Sequence, residues 1–122
     1  MIRKIEVKDG TIIDSIQFTF GDVKAESHGG TGGNIAPDCI INEGDVITTI
    51  RLREADVREK PFVQRLEFQT RNKTVCDFGK KSSFTKTLSH DGYHLSYVTG
   101  ENVVYHSEII VVNALKFYWV TD

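Results

Sequence analysis

Hydrophobic and polar residues alternate along much of this chain with a period of two, which predicts strands with one buried face. From Thr11 to Phe20, positions Ile12, Ile16, Phe18 and Phe20 alternate with Thr11, Ser15, Gln17 and Thr19; Asp14 falls among the apolar positions, and Ile13 breaks the pattern. A second run sets Val46, Thr48, Ile50 and Leu52 against Asp45, Thr49, Arg51 and Arg53. A third sets Leu66 and Phe68 against Arg65, Glu67 and Gln69, and a fourth places Leu115, Phe117 and Trp119 opposite Lys116. Asp9-Gly10, Glu43-Gly44-Asp45, Gly79 and Asp91-Gly92 punctuate these runs as turns. No segment shows a convincing apolar helical face. Glu54 to Lys60 has acceptable helix propensity but almost no apolar face, and Pro61 stops it, so it reads as a charged loop, with a short helical turn as the alternative. Many short strands imply an all-β sandwich, barrel or prism.

An internal repeat narrows the choice. Gly10-Thr-Ile-Ile-Asp14-Ser-Ile-Gln-Phe18 aligns with Gly44-Asp-Val-Ile-Thr48-Thr-Ile-Arg-Leu52, 34 residues later. Ile109-Ile-Val-Val-Asn113-Ala-Leu-Lys-Phe117 is a weaker third copy. Three copies predict three similar sheets about a pseudo-threefold axis, with the aliphatic positions meeting in one core.

The length of 122 residues fits one domain, spanning residues 1–122. Fifteen Lys and Arg against seventeen Asp and Glu leave a net charge of −2. That balance, with no basic stripe, argues against nucleic acid as a partner. The longest fully apolar run, Ile109 to Val112, is far too short to span a membrane. Met1 is not followed by a basic segment and an apolar run, so no secretory leader is visible. The two cysteines, Cys39 and Cys76, read as buried free thiols, with one bridge as the alternative. Free thiols and the lack of a leader lean towards the cytoplasm. Asn72-Lys73-Thr74 is a glycosylation sequon, meaningful only in a secreted chain.

His28-Gly29-Gly30-Thr31-Gly32-Gly33 is the most unusual local feature. Four glycines in five positions are entropically costly to order, so the loop is expected where bare backbone must approach something closely. It lacks the Lys-Ser/Thr end of a phosphate loop, and Pro37-Asp38 follow where a helix would start. The dinucleotide fingerprint fails as well. A neutral polyhydroxyl ligand fits better, because a carboxylate can accept from adjacent hydroxyls while bare N–H groups donate to them. Asp14, closing the Gly10-x-x-x-Asp14 turn, could supply that carboxylate or could simply cap its own turn. The histidines His28, His90, His94 and His106 show no metal-ligand spacing, and no nucleophile motif is present, so neither metal, cofactor nor catalysis is expected. Phe117 and Trp119 read as core-filling, with Tyr93, Tyr97, Tyr105 and Tyr118 adding to an aromatic C-terminal third.

Asp9 to Ile16, His28 to Gly33 and Glu43 to Ile50, followed in order by Leu66 to Thr74, Phe78-Gly79 and Phe84, resemble the jacalin-related lectin family. The resemblance implies a β-prism of three four-stranded Greek-key sheets. It also implies a sugar site made of a Gly-x-x-x-Asp turn and a glycine-rich loop. The family's usual main site is expected to be absent: its N-terminal loop and strand are missing, and its C-terminal turn reads Ile109 to Asn113, without glycine or aspartate. A second site is expected to be degenerate, with Thr48 in place of the aspartate and Gly79-Lys80-Lys81-Ser82-Ser83 in place of the glycine loop. One pair remains intact, Gly10, Thr11, Ile12, Ile13 and Asp14 with Gly29 to Gly33, the second site of mannose-binding members. By resemblance, Asp14 accepts from two sugar hydroxyls, and the N–H groups of Thr11, Ile12, Ile13 and Gly33 donate, with Gly32 beside them. Galactose preference in the family goes with a free N-terminal glycine made by cleavage, so mannose- or glucose-containing glycans are the expected partners. One weak site would need a homo-oligomer or another module for avidity. The alternative is an interaction or assembly module that has lost sugar binding. The segment Val98 to Ile110, longer than the family pattern, is expected to supply a strand in place of the missing first one.

Overall fold

The computed structural model describes the backbone of residues 1–57, 60–106 and 109–122, and the side chains of residues 1–56, 62–99 and 115–122. Among the described residues twelve strands follow in order: β1 (Ile2–Asp9), β2 (Ile13–Phe20), β3 (Val23–Lys24), β4 (His28–Gly29), β5 (Asn34–Ile35), β6 (Cys39–Ile40), β7 (Ile47–Val57), β8 (Lys60–Thr70), β9 (Val75–Gly79), β10 (Lys86–Leu88), β11 (Tyr93–His106) and β12 (Ile109–Thr121). No helix occurs among the described residues. The strands form three antiparallel sheets around one core, the β-prism arrangement. In the first sheet the β1–β2 hairpin is flanked by broken outer lanes, β3 and β4 beside β2, β5 and β6 beside β1. The second sheet runs β10-β7-β8-β9. Among the described residues the third carries two strands, β11 and β12, where the resemblance implies four.

Each sheet contains one central hairpin, and the three hairpins share a register. Ile5 faces Phe18, Ile50 faces Phe68, and Val98 faces Phe117. The alternation turns these residues inward, and Phe18 meets Phe68 edge to face at 6.1 Å between ring centroids. Burying each of those two phenylalanines contributes about 1.5–3 kcal/mol. Phe117 and Trp119 are half-buried against the same core, as the sequence pattern predicts, while Tyr93, Tyr97 and Tyr118 are exposed.

Four expectations are corrected here. The structural repeat is offset by about 50 residues rather than 34. Gly10 joins the two strands of the first hairpin, whereas Gly44 precedes the first strand of the second. The matching contacts are Ser15 with Gly29 and Arg65 with Gly79, reinforced by Gly30 N–H to Asp14 O (2.9 Å) and Lys80 N–H to Gln64 O (3.1 Å). A glycine turn entering a half-buried strand looks alike on either arm of a hairpin, so period-two similarity alone selects the wrong arm. The side chains of residues 109–113, in the third copy, lie outside the described residues.

Glu54 to Val57 and Lys60 are strand rather than loop; Arg58 and Glu59 lie outside the described residues. Glu54 pairs with Val63, Ala55 with Phe62, Asp56 with Pro61 and Val57 with Lys60, extending the β7–β8 hairpin. Burial of Phe62 and Val63 on the partner strand stabilises this pairing, although the charged strand alone shows no apolar face. Pro61 is tolerated because β9 pairs with β8 only between Arg65 and Gln69, leaving no ladder on its far side. Similarly, Val98 to Ile110 supplies no replacement strand: its described backbone belongs to the β11–β12 hairpin itself. Finally, Cys39 and Cys76 are bonded as a disulfide with Cα atoms 5.8 Å apart, joining β6 of the first sheet to β9 of the second. The free-thiol argument for a cytoplasmic chain therefore falls.

Candidate functional site

The site begins with a break in register. Lys8 pairs with Ser15, but Asp9 pairs with Ile13, so Asp14 is an extra residue with no partner across the hairpin. This is a β-bulge, which re-aims the bulged side chain. It also explains why Ile13 interrupts the alternation: one inserted residue lets Ile13 and Ile16 both turn into the core, each fully buried. Ile12 is buried too, so Ile12 and Ile13 anchor the turn and have only backbone to offer a ligand. Gly10 and Thr11 are exposed at the tip, where Gly10 N–H donates to Ile12 O at 3.1 Å.

The glycine loop crosses the end of this hairpin. It leaves β4, which pairs with β2, and enters β5, which pairs with β1 through Asp9–Asn34 and Lys8–Ile35. On the way it lies directly against Asp14. A Cβ on Gly33 (φ +81°) would stand 2.6 Å from Asp14 Oδ1, and one on Gly32 would stand 3.3 Å from Oδ2. A Cβ on Gly29 (φ +116°) would stand 2.2 Å from the Asp14 carbonyl oxygen. Gly29 and Gly33 are thus required by close approach to one residue. Asp14 is 7% exposed and lines a groove of about 900 Å³ together with Lys8, Ser15, Gln17, Gly32 and Gly33. Burial, and secondarily the charge of Asp9, hold its carboxyl above the ordinary aspartate range.

This geometry predicts a contrast. Gly29→Ala forces a side chain into backbone at a positive φ and is expected to cost about 2 kcal/mol or more. Gly10→Ala places its Cβ in open space and is expected to be nearly neutral. Urea melts of the two variants measure the difference, and equal midpoints would refute the close-approach reading.

The other two hairpins bulge at the equivalent place. Arg53 pairs with Arg65 and Glu54 with Val63, which leaves Gln64 extra; Glu101 pairs with Ala114 and Asn102 with Val112, which leaves Asn113 extra. The counterpart of Asp14 in the second sheet is therefore Gln64, not Thr48. Thr48 lies near the other end of that hairpin, about 20 Å away at the usual strand rise. Sequence reading missed Gln64; the signal that finds it is Gly79, whose Cβ would meet Gln64 O at 2.2 Å just as that of Gly29 meets Asp14 O. Gln64 Oε1 accepts from Arg53 Nε at 3.0 Å. Arg65 is engaged by both oxygens of Asp77 (3.0 and 2.6 Å) and by Ser82 O, with the Phe84 ring 4.0 Å from its guanidinium carbon. This second position is filled by its own network. Its loop is tied to the first site through Gly79 N–H to Asp9 Oδ2, 2.7 Å. Among the described residues no group of three His, Cys, Asp or Glu side chains is placed to hold a metal, and no helix is long and apolar enough to cross a membrane.

Three sheets with a shared bulge position, one of them carrying a carboxylate under a glycine loop, define a lectin-type β-prism. The chain belongs to the family of the jacalin-like lectin domain, whose model matches residues 1–118. Solved structures agree in fold. A prostate-specific WGA16 glycoprotein lectin superposes with a TM-score of 0.82 at 24% identity, covering 98% of this chain and 82% of that one. Malaysian banana lectin F84T gives 0.80 at 19% identity, covering 100% and 84%. Frutalin from Artocarpus incisa in complex with galactose gives 0.75 at 16% identity, covering 98% and 91%. No curated protein sequence matches the chain.

Proposed function

We propose that this domain binds mannose- or glucose-type sugars through the Gly10–Asp14 turn and the glycine loop, without covalent chemistry. The observation that carries this reading is the bulged Asp14 carboxylate lying against the bare backbone of Gly32 and Gly33. A carboxylate accepts from two adjacent hydroxyls, and the N–H groups of Thr11, Ile12, Ile13 and Gly33 donate to the same oxygens. Mannose or glucose is preferred because the intact turn-and-loop pair resembles the second site of mannose-binding family members. Galactose is the rival ligand, since frutalin was solved with it.

One such site corresponds to a Kd of about 1 mM, or roughly −4 kcal/mol. NMR titration with methyl mannoside, glucoside and galactoside tests the proposal. Shifts confined to residues 10–14 and 29–33, larger for mannoside or glucoside, are expected. No shift at about ten times that Kd would overturn sugar binding. It would favour an assembly module instead, a reading that Gln64 at one of the other two bulge positions already supports. Larger shifts with galactoside would overturn only the sugar class.

A further inference from the structure

We propose that Asn72 is an N-glycan acceptor in a chain that matures in the oxidising secretory pathway. This inference is independent of the sugar-site reading. Both cysteines of the chain are consumed in the Cys39–Cys76 bridge, and such a structural disulfide forms and persists in oxidising compartments. The same compartments carry the machinery that modifies Asn-x-Ser/Thr, and the chain contains Asn72-Lys73-Thr74.

The sequon sits where a glycan can be carried. It forms the tip of the β8–β9 hairpin, and Asn72, Arg71 and Lys73 are all exposed. The tip is held by groups other than the Asn72 side-chain amide. Thr70 N–H donates to Thr74 O (2.9 Å), Lys73 N–H to Thr70 O (3.1 Å) and Thr74 N–H to Thr70 Oγ1 (3.0 Å). The backbone N–H of Asn72 donates to Oδ1 of the buried Asp45 at 3.1 Å. Lys73 takes the left-handed conformation (φ +72°) that closes such a turn. A sugar on Asn72 Nδ2 therefore displaces none of these bonds. Nor does it obstruct the glycine loop: Thr70 lies six residue steps along β8 from Gln64, the counterpart of Asp14, about 20 Å at the usual rise. The tip and the Asp14 site lie at opposite ends of the prism.

The test is to direct the chain into the secretory pathway of mammalian cells and collect it from the medium. Peptide mapping before and after peptide-N-glycosidase then reads Asn72 directly. The expected result is a disulfide-bonded protein with a glycan on Asn72, converted to aspartate on enzymatic release. Asn72→Gln and Thr74→Ala should each be secreted without the glycan, because both preserve the backbone bonds of the turn. An unmodified Asn72 in secreted, disulfide-bonded protein would overturn the proposal. So would a parent chain retained in the cell with free thiols.

Discussion

Asp14→Asn is expected to eliminate sugar binding while leaving the domain as stable as the parent, or more stable, at neutral pH. The two effects have one origin. Asp14 is nearly buried and stands beside Asp9, so its carboxyl titrates above the ordinary range. A carboxyl whose folded pKa exceeds its unfolded value binds more protons when folded, so stability falls as pH rises between the two values. At neutral pH the ionised group therefore opposes folding, and asparagine removes that cost. Hydrogen bonds to a charged acceptor are worth about 1.5–3 kcal/mol each. Losing one or two from a site worth roughly −4 kcal/mol leaves nothing measurable. Thermal melts at neutral pH and again well below the carboxylate range, run beside the mannoside titration, read both effects. The stability advantage should vanish at the lower pH, where parent and variant are both uncharged. In the parent, sugar binding should weaken with falling pH earlier than an unshifted aspartate would dictate. A destabilised but sugar-binding variant would show that Asp14 caps its own turn and nothing more.

Sequence legibility followed the physical range of each signal. Alternation reports which face of a strand is buried, and it located Ile16, Phe18, Leu52, Leu66 and Phe68 in the core. The cost of ordering glycine is local as well, and it pointed to residues 29–33 as a loop in close contact with something. That contact proved to be Asp14. Ile13, out of phase with its neighbours, was the trace of the bulge. What failed depended on partners distant in sequence. Glu54 to Val57 looks like a charged loop until Phe62 and Val63 are placed opposite. The offset of 34 paired the wrong arms because alternation does not say which strand of a hairpin a segment occupies. The contacts of Gly29 and Gly79 with carbonyls of the neighbouring strand do say so, but only in three dimensions.

Removing the disulfide is expected to produce the largest loss of stability. Cys39 and Cys76 are 37 residues apart, and closing a loop of that size restricts the unfolded chain by about 4 kcal/mol, within a typical range of about 2–4. Against a total stability of about 5–15 kcal/mol, this is a substantial fraction. Its position adds to the effect. Residues 36–46 contain no strand longer than β6, which meets β1 at only two pairs, Lys4–Ile40 and Ile5–Cys39. The bridge ties this thin segment to β9 of the neighbouring sheet. The double variant Cys39→Ala/Cys76→Ala, and the parent under reductant, should both melt lower by on the order of 10 °C. Alanine avoids burying the hydroxyl that serine would place at Cys39, which is 2% exposed. The glycine loop should keep its place in the folded fraction, because Ala36 N–H still donates to Val7 O and Asn34 still pairs with Asp9. Mannoside-induced shifts should therefore survive in the double variant below its melting temperature. If melting is unchanged both by reductant and by the double substitution, the bridge contributes no constraint, and cohesion between the first two sheets rests on core packing around Phe18 and Phe68 and on the Gly79–Asp9 hydrogen bond.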